Sequence, residues 1–338
     1  MPVSRTCPIC KTDEQHRIPY GGRTTLPVRP VICKSCGLVF INPMYVNSEK
    51  EAVAPSPRAL HRPVRHTRPI QRAHERELRA ARRFLGFVRP HLRPGDRVLD
   101  IGCGDGALVR TLQEFGAKPT GIDLDPEGAQ FVERTYGIPV VVAPFETSQL
   151  AEGQFDAIVA THVIEHMFEP VEVMQQIRRL LKPNGLVVLE TPNILRPKVG
   201  FRRMFSVAHN YYFSPRTLCL ALRRAGLAPF ALREFYRDSF VVAARATSKK
   251  CQEPFPGEDF PTPGDASPEK VPDTFSHRGW RGDDWREVAR RILSHDLRYK
   301  ASLQFLWRKI PGLKTAIMYR VHREMTGEAL SRWLTKAA

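Results

Sequence analysis

The chain has 338 residues, 42% hydrophobic and 26% charged, with 52 Lys and Arg against 35 Asp and Glu, for a net charge of +17. That length can bury one sizeable core and still carry one or two small modules, and the composition is that of a soluble globular protein. No run approaches 18 consecutive apolar residues, and Met1 to Arg5 lack an apolar signal core, so neither a membrane span nor export is expected and a cytoplasmic address is. The bases crowd the flanks: the net charge is +12 over residues 1–97, −3 over 98–276 and +8 over 277–338. A neutral centre between cationic flanks fits either a solvated Arg-rich surface or a polyanionic partner outside the chemistry: RNA, a phosphorylated substrate, or an anionic membrane touched peripherally.

Residues 1–45 hold two Cys-x-x-Cys pairs, Cys7/Cys10 and Cys33/Cys36, separated by short β-like runs and by turn signals at Gly21-Gly22 and Gly37. In a reducing compartment four such thiolates suit a closed tetrahedral zinc site better than disulfides. Residues 46–68 read as a polar, Pro-rich linker. From about Pro69 to Val88 the apolar Leu78, Ala81, Leu85 and Val88 recur at helical spacing among arginines, predicting a basic amphipathic helix.

Strands and helices then alternate. Strands are expected at 97–102, 119–123, 138–143, 155–161 and 185–191, and helices at 105–115, 126–136 and 170–182, the pattern of a parallel doubly wound sheet. A further helix over 215–226 ends at Gly226, a good C-terminal stop, and strands at 230–236 and 239–245 could pair antiparallel. Residues 247–277 are Pro-rich and aperiodic, a linker, and 278–338 form a basic helical region. The folded domain between the linkers spans 69–246.

The run VLDIGCGDG at 98–106 lies between a strand and a helix, where glycines let the backbone approach a ligand and aim free N–H groups at it. Gly102, Gly104 and Ala107 also satisfy the dinucleotide pattern, so the loop alone leaves the cofactor open. Asp100 tips the choice: a carboxylate there repels a pyrophosphate and attracts the ammonium of an amino-acid moiety. Asp123 ends the next strand with an acid suited to ribose hydroxyls, a feature nicotinamide enzymes share. After the third strand, Phe145 either flanks an adenine or packs in the core.

From Val98 to about Arg245 these motifs, in order, resemble the class I S-adenosylmethionine-dependent methyltransferases. VLDIGCGDG resembles their first motif, Gly121 to Asp125 the second, Phe155-Asp156 to Glu165-His166 the fourth, and Leu181 to Leu186 the turn before the fifth strand. The resemblance implies an α/β fold with a Rossmann-like, doubly wound seven-stranded sheet whose last strand runs antiparallel, preceded here by the zinc ribbon and followed by the helical extension. It places Gly102 and Gly104 against S-adenosyl-L-methionine, Asp123 at the ribose, Phe145 by the adenine, and Thr161 and His162 beside the methionine end.

Methyl transfer from a sulfonium is an in-line displacement, so the protein mainly positions the acceptor and removes its proton, a task that suits histidine. His166 closes a segment shared by many of these enzymes and either holds the site together or acts as base. The segment His209 to Pro215 resembles the "E-H-x-x-Y-F-S" stretch of sugar C-methyltransferases, which also begin with a Cys-x-x-Cys module; it implies His209 and Tyr212 at the acceptor, with Ala208 where those enzymes have Glu. The reading is therefore a methyltransferase of a small-molecule or saccharide acceptor, nucleotide-linked or of surface-polysaccharide type. An RNA methyltransferase and a quinone-precursor O-methyltransferase stand as alternatives.

Overall fold

The computed structural model describes residues 2–18, 27–45, 70–196, 204–235 and 238–247. The expected linker 46–68, the Pro-rich segment beyond Thr247 and the basic region 278–338 lie outside them. Among the described residues no helix is long and apolar enough to cross a membrane.

Three short strands come first: β1 (Gln15–Arg17), β2 (Pro30–Cys33) and β3 (Val39–Ile41). After helix α1 (Ile70–Val88) come β4 (Arg97–Ile101), α2 (Ala107–Phe115), β5 (Lys118–Asp123), α3 (Pro126–Tyr136), β6 (Val140–Val142), β7 (Phe155–Thr161) and α4 (Pro170–Leu180). The chain continues through β8 (Leu181–Pro192), β9 (Tyr211–Tyr212), α5 (Pro215–Arg224), β10 (Leu227–Phe235) and β11 (Ser239–Ala246).

Seven strands form the central sheet in the order β10-β11-β8-β7-β4-β5-β6. Only β11 runs against the rest, pairing antiparallel with both β8 and β10. The chain leaves β4 for β5 and β6 on one side, then returns to β7 on the other. That reversal opens a crevice at the carboxyl end of β4, the position where open α/β sheets bind ligands.

Alternation along β4 assigns its side chains to two layers. Leu99 and Ile101 join the core that holds Met174 and Ile177 of α4 and Leu218 and Leu222 of α5. Val98 joins the opposite core, with Phe84 and Val88 of α1 and Leu108 and Leu112 of α2. Asp100, two residues from Val98, therefore sits on the α1 and α2 face at the crevice.

Element ends follow local chemistry. Helix α2 starts at Ala107 rather than 105 because Gly104 and Gly106 hold φ of +52° and +79° and complete the loop first. Asp125 caps α3 by accepting from the Glu127 N–H, and Ser214 caps α5 in a reciprocal box with Thr217. Helix α4 stops two residues short of expectation because Leu181 already pairs with Phe155 of β7. The register then jumps to Leu186 opposite Ala157, so the Lys182 to Gly185 turn is a bulge inside β8, with Asn184 at φ +60°.

The cysteine ribbon is not a separate bead. Its sheet has the order β1-β2-β3-β9, so two residues from the expected acceptor segment supply its fourth strand. One face of the ribbon, with Cys7, Ile9 and Phe40, belongs to the same buried cluster as Leu99 and Met174. Its other face, with Ile32, Val39 and Ile41, packs with Phe205, Val207 and Tyr212.

Candidate active site

The glycine loop follows directly from the buried end of β4. Gly102 has φ +74°, and a methyl group there would meet Val163 Cγ2 at 2.5 Å. Gly104, at φ +52°, would meet nothing within 4 Å and leaves its backbone open to the crevice. Its N–H donates to Asp123 Oδ2 at 2.8 Å, and the Asp125 N–H donates to Oδ1 at 2.9 Å. The end of β5 is thus tied to the loop, while the carboxylate keeps acceptor capacity for a ligand hydroxyl.

A cavity of about 420 Å³ occupies the crevice, a size suited to a small-molecule or cofactor site. Asp100, Gly102, Gly104, Asp123, Thr161 and His162 all line it, so six of the seven residues expected at the cofactor come together. The seventh, Phe145, is only 4% exposed and belongs to the buried cluster with Ile122 and Ile164. Helix α1 closes one side with Glu77, Ala81 and Phe84, a role its amphipathic pattern did not reveal.

The lining is acidic. Glu77, Asp100, Asp105, Asp123, Asp125 and Glu190 contribute carboxylates, with neither Lys nor Arg among the lining residues of a chain of net charge +17. Asp100 is 2% exposed, and its Oδ1 has no hydrogen-bond partner. Burial, reinforced by Asp123, pushes its carboxyl well above the usual carboxylate range. A buried, unsatisfied acid facing a cavity calls for a cation, and the ammonium of an S-adenosylmethionine fits that demand where a pyrophosphate does not.

Next to His162, and outside the cavity's lining, lies a second cluster centred on Glu165. This acid is 1% exposed, and its Oε2 accepts from the Thr191 hydroxyl at 3.0 Å. His162 Nδ1 lies 3.5 Å and His166 Nε2 3.9 Å from Oε1. Burial would raise Glu165, but His162, His166 and His209 outweigh it and bring the carboxyl down to about 2. His162 takes the left-handed φ of +55° at the end of β7 and keeps 52% of its side chain exposed. Burial by its surroundings would lower His162, yet contact with Glu165, then Glu190 and Asp238, raises it above its ordinary value.

His209 and Tyr212 reach this cluster through the ribbon. The N–H groups of Asn210 and Tyr211 both donate to the Glu165 carbonyl, at 2.9 and 3.1 Å, and the Asn210 side chain donates to the His166 carbonyl at 2.7 Å. The His209 ring stands edge-on to His166 at 4.7 Å between centroids and tilts against Tyr212 at 5.7 Å. Tyr212 is buried, and its hydroxyl accepts from the Ser206 N–H at 2.9 Å. Arg5 of the ribbon donates to the Phe168 carbonyl at 2.7 Å and pairs with Glu169, while the Tyr211 hydroxyl donates to the same carbonyl at 2.8 Å. Sequence reading named His166 but not Glu165 as a site residue, and it missed Glu190 at the carboxyl end of β8, where strand position alone could have flagged it.

In the ribbon, Cys7, Cys33 and Cys36 are fully buried and Cys10 partly so. The sulfurs stand 3.6 Å (Cys7–Cys36), 3.6 Å (Cys10–Cys33) and 3.8 Å (Cys7–Cys10) apart. Tetrahedral zinc with bonds near 2.3 Å places its sulfurs roughly 3.8 Å apart, so the four thiols fit that ion. Both turns end alike, with Lys11 at φ +59° and Gly37 at φ +79° just past the second cysteine of each pair.

Residues 71–232 match a methyltransferase domain family. The chain is 32% identical over 161 residues to a ubiquinone biosynthesis O-methyltransferase of Xanthomonas axonopodis pv. citri, covering 42% of this chain and 67% of that protein. It is 31% identical over 159 residues to the protein of the same name from Bordetella bronchiseptica, covering 41% and 65%. The chain thus spans about two thirds of the length of these two curated relatives. Among solved structures it resembles a Burkholderia thailandensis 1,6-didemethyltoxoflavin-N1-methyltransferase with bound S-adenosylhomocysteine, at 22% identity and a TM-score of 0.49, covering 62% of this chain and 96% of that one. With its cavity, its glycine loop and these relatives, the chain belongs to the S-adenosylmethionine-dependent methyltransferases.

Proposed function

We propose that the protein methylates a hydroxyl of a small-molecule acceptor held between the acid-lined cavity and the Glu165 histidine cluster. One observation carries this reading: His162 lines the cavity and also touches Glu165, so the cofactor end and a proton-accepting cluster share a wall. The bound cofactor supplies an electrophilic methyl group. Asp100 would hold its ammonium and Asp123 its ribose, the Gly102 to Gly104 backbone would lie against it, and Phe145 is assigned to the adenine side. The histidine cluster is placed to take the acceptor hydroxyl's proton, and the cofactor, when bound, would supply the methyl group and retain the carbon–sulfur electron pair on its sulfur. His166 and His209 stand on the acceptor side. Tyr212, whose hydroxyl is occupied by Ser206, positions His209. The four cysteines hold a structural zinc.

The acid lining disfavours a polyanion such as RNA at the methyl group. The relatives' name supports oxygen as the methylated atom and a quinone-precursor phenol as one acceptor class. A saccharide acceptor, nucleotide-linked or from surface polysaccharide, is the second reading; it is favoured by β9, which joins into one sheet the two features that resemble the sugar enzymes.

The test is incubation with methyl-labelled cofactor and a panel of catechols, nucleotide sugars and RNA. Label is expected in a hydroxylated small molecule. Label in RNA alone would overturn the reading.

A further inference from the structure

We infer that Glu190 is the residue that selects the acceptor: its carboxylate Oε2 takes a hydrogen bond from a second hydroxyl, on the carbon next to the one whose oxygen is methylated. The inference rests on the small-molecule reading above and names what the acceptor carries beside its methylated oxygen.

Alternation along the strands puts Glu190 on the Asp100 side of the sheet. Leu186 and Val188 of β8 share a core layer with Val98 of β4, Val159 of β7 and Val241 of β11. Glu190, two residues beyond Val188, therefore projects from the same face as Asp100, two beyond Val98. It pairs with Thr161, and the strand order β8-β7-β4-β5 sets it three strands from Asp123. At about 4.8 Å per strand, the two acids stand roughly 14 Å apart across the crevice. Both line the cavity. With Asp123 assigned to the ribose and Asp100, between them on β4, to the ammonium, the β8 end is the part left for an acceptor.

The carboxylate is oriented but only half used. Its Oε1 accepts from the Ser239 hydroxyl at 2.8 Å and lies 3.7 Å from His162 Nε2. Among the described residues no hydrogen bond reaches Oε2. The His162 N–H donates to the Glu190 carbonyl at 2.9 Å, which holds the turn after β7 against the end of β8. Burial, helped by Glu165 and Asp238, raises the carboxyl above its ordinary value against the pull of His162 and Ser239. A buried acid with one oxygen unserved gains from a donor on the ligand.

The surroundings decide which groups Glu190 admits. Neither Lys nor Arg is among the lining residues, so a carboxylate or phosphate beside the reacting oxygen would face the negative charge of Glu190 without a counter-ion. His162 and Glu190 present their polar atoms a few ångströms apart, a separation that suits two hydroxyls on adjacent carbons. One hydroxyl then faces His162, on the proton-accepting side, and its neighbour donates to Oε2. A site built this way favours the acceptor that carries the second donor over one that lacks it or bears an anion in its place.

The test is calorimetric titration of the protein, loaded with S-adenosylhomocysteine, with catechol, phenol and salicylate and with methyl glucoside and methyl 2-deoxyglucoside. The probe with the second hydroxyl, catechol or methyl glucoside, is expected to bind roughly tenfold or more tightly than its counterpart without it, with salicylate weakest of the aromatic three. Glu190→Gln keeps the side chain's shape and an oxygen for Ser239. It is expected to leave S-adenosylhomocysteine affinity and melting temperature unchanged while it weakens the diol roughly tenfold and brings catechol and salicylate to about threefold of each other. Glu190→Asp, which keeps the charge but withdraws it, is expected to go on rejecting salicylate and to lose the preference for the diol. A preference for catechol over phenol and salicylate that survives in Glu190→Gln overturns the inference and leaves the methyl-transfer reading standing, and failure of all five probes to bind overturns it too. Glu190-dependent binding of a diol that never takes label from the cofactor supports the inference and speaks against that reading instead.

Discussion

Phe40 of β3 pairs with Tyr211 of β9, their ring centroids 6.3 Å apart. The pairing splices the cysteine ribbon to the segment that carries His209, two residues before Tyr211. The fold and electrostatics of the acceptor side therefore depend on residues more than 150 positions away in sequence.

That dependence can be measured by dismantling the ribbon. Cys33→Ser removes one of four thiols in a closed site, and structural zinc contributes on the order of 10 kcal/mol to small domains that depend on it. The variant is expected to lose its metal and expose residues 1–45 to protease, while the seven-stranded core, whose strands pair without β3, still binds S-adenosylhomocysteine. Metal analysis, limited proteolysis and calorimetric titration read the three outcomes; a core that loses cofactor binding in step with the metal would contradict this.

Asp100→Asn separates cofactor binding from stability. Removing a buried carboxylate from its ammonium partner costs about 3 kcal/mol or more, so affinity for S-adenosylhomocysteine is expected to fall over a hundredfold. The ligand-free protein behaves oppositely. The folded state holds the Asp100 proton well above the usual value of 3.8, so the stability this group contributes is complete below that pH and lost as pH rises through the folded value. The variant is expected to flatten this decline; melting temperatures of both ligand-free proteins from pH 4 to 8 show it.

The two loop glycines are expected to differ. Gly102→Ala drives a methyl group into Val163 and strains a left-handed backbone, lowering both stability and affinity. Gly104→Ala has room, so its cost in stability is the strain of φ +52°, about 1 kcal/mol, while its methyl group stands where the ligand approaches. Thermal melts paired with titrations should therefore show affinity falling more than stability at Gly104. Equal losses at both positions would place Gly104 outside the ligand path.

Tyr212→Phe tests positioning against chemistry. The hydroxyl that accepts from Ser206 is worth about 1 kcal/mol, and its loss is expected to cost that much stability and less than a tenfold drop in turnover. A thousandfold drop with unchanged stability would put the hydroxyl at the reacting atoms.

Chain-local chemistry was legible in the sequence. The short apolar runs of β4 and β7, the glycines at positive φ, the helix stop at Gly226 and the spacing of the paired cysteines each act within a few residues, so their pattern points directly to strand, turn and a cluster of thiols. The lining of the crevice was legible for the same reason: Asp100, Gly102, Gly104 and Asp123 sit at strand ends, and a parallel sheet gathers its carboxyl ends at one place.

What only the tertiary structure decided depends on contacts between distant segments. A two-residue strand such as β9 has no periodicity to read, and its pairing with β3 is chosen by shared burial of Phe40 and Tyr211 and by the N–H groups that reach the Glu165 carbonyl. By sequence Phe145 could either flank an adenine or pack in the core, and only the fold decides that it is 4% exposed, because solvent exposure belongs to the packed layer rather than to the residue. Glu165 is the extreme case: by sequence one acid in a shared segment, it becomes the hub of three histidines only when the turn after β7 and the ribbon-bound His209 segment are folded against each other.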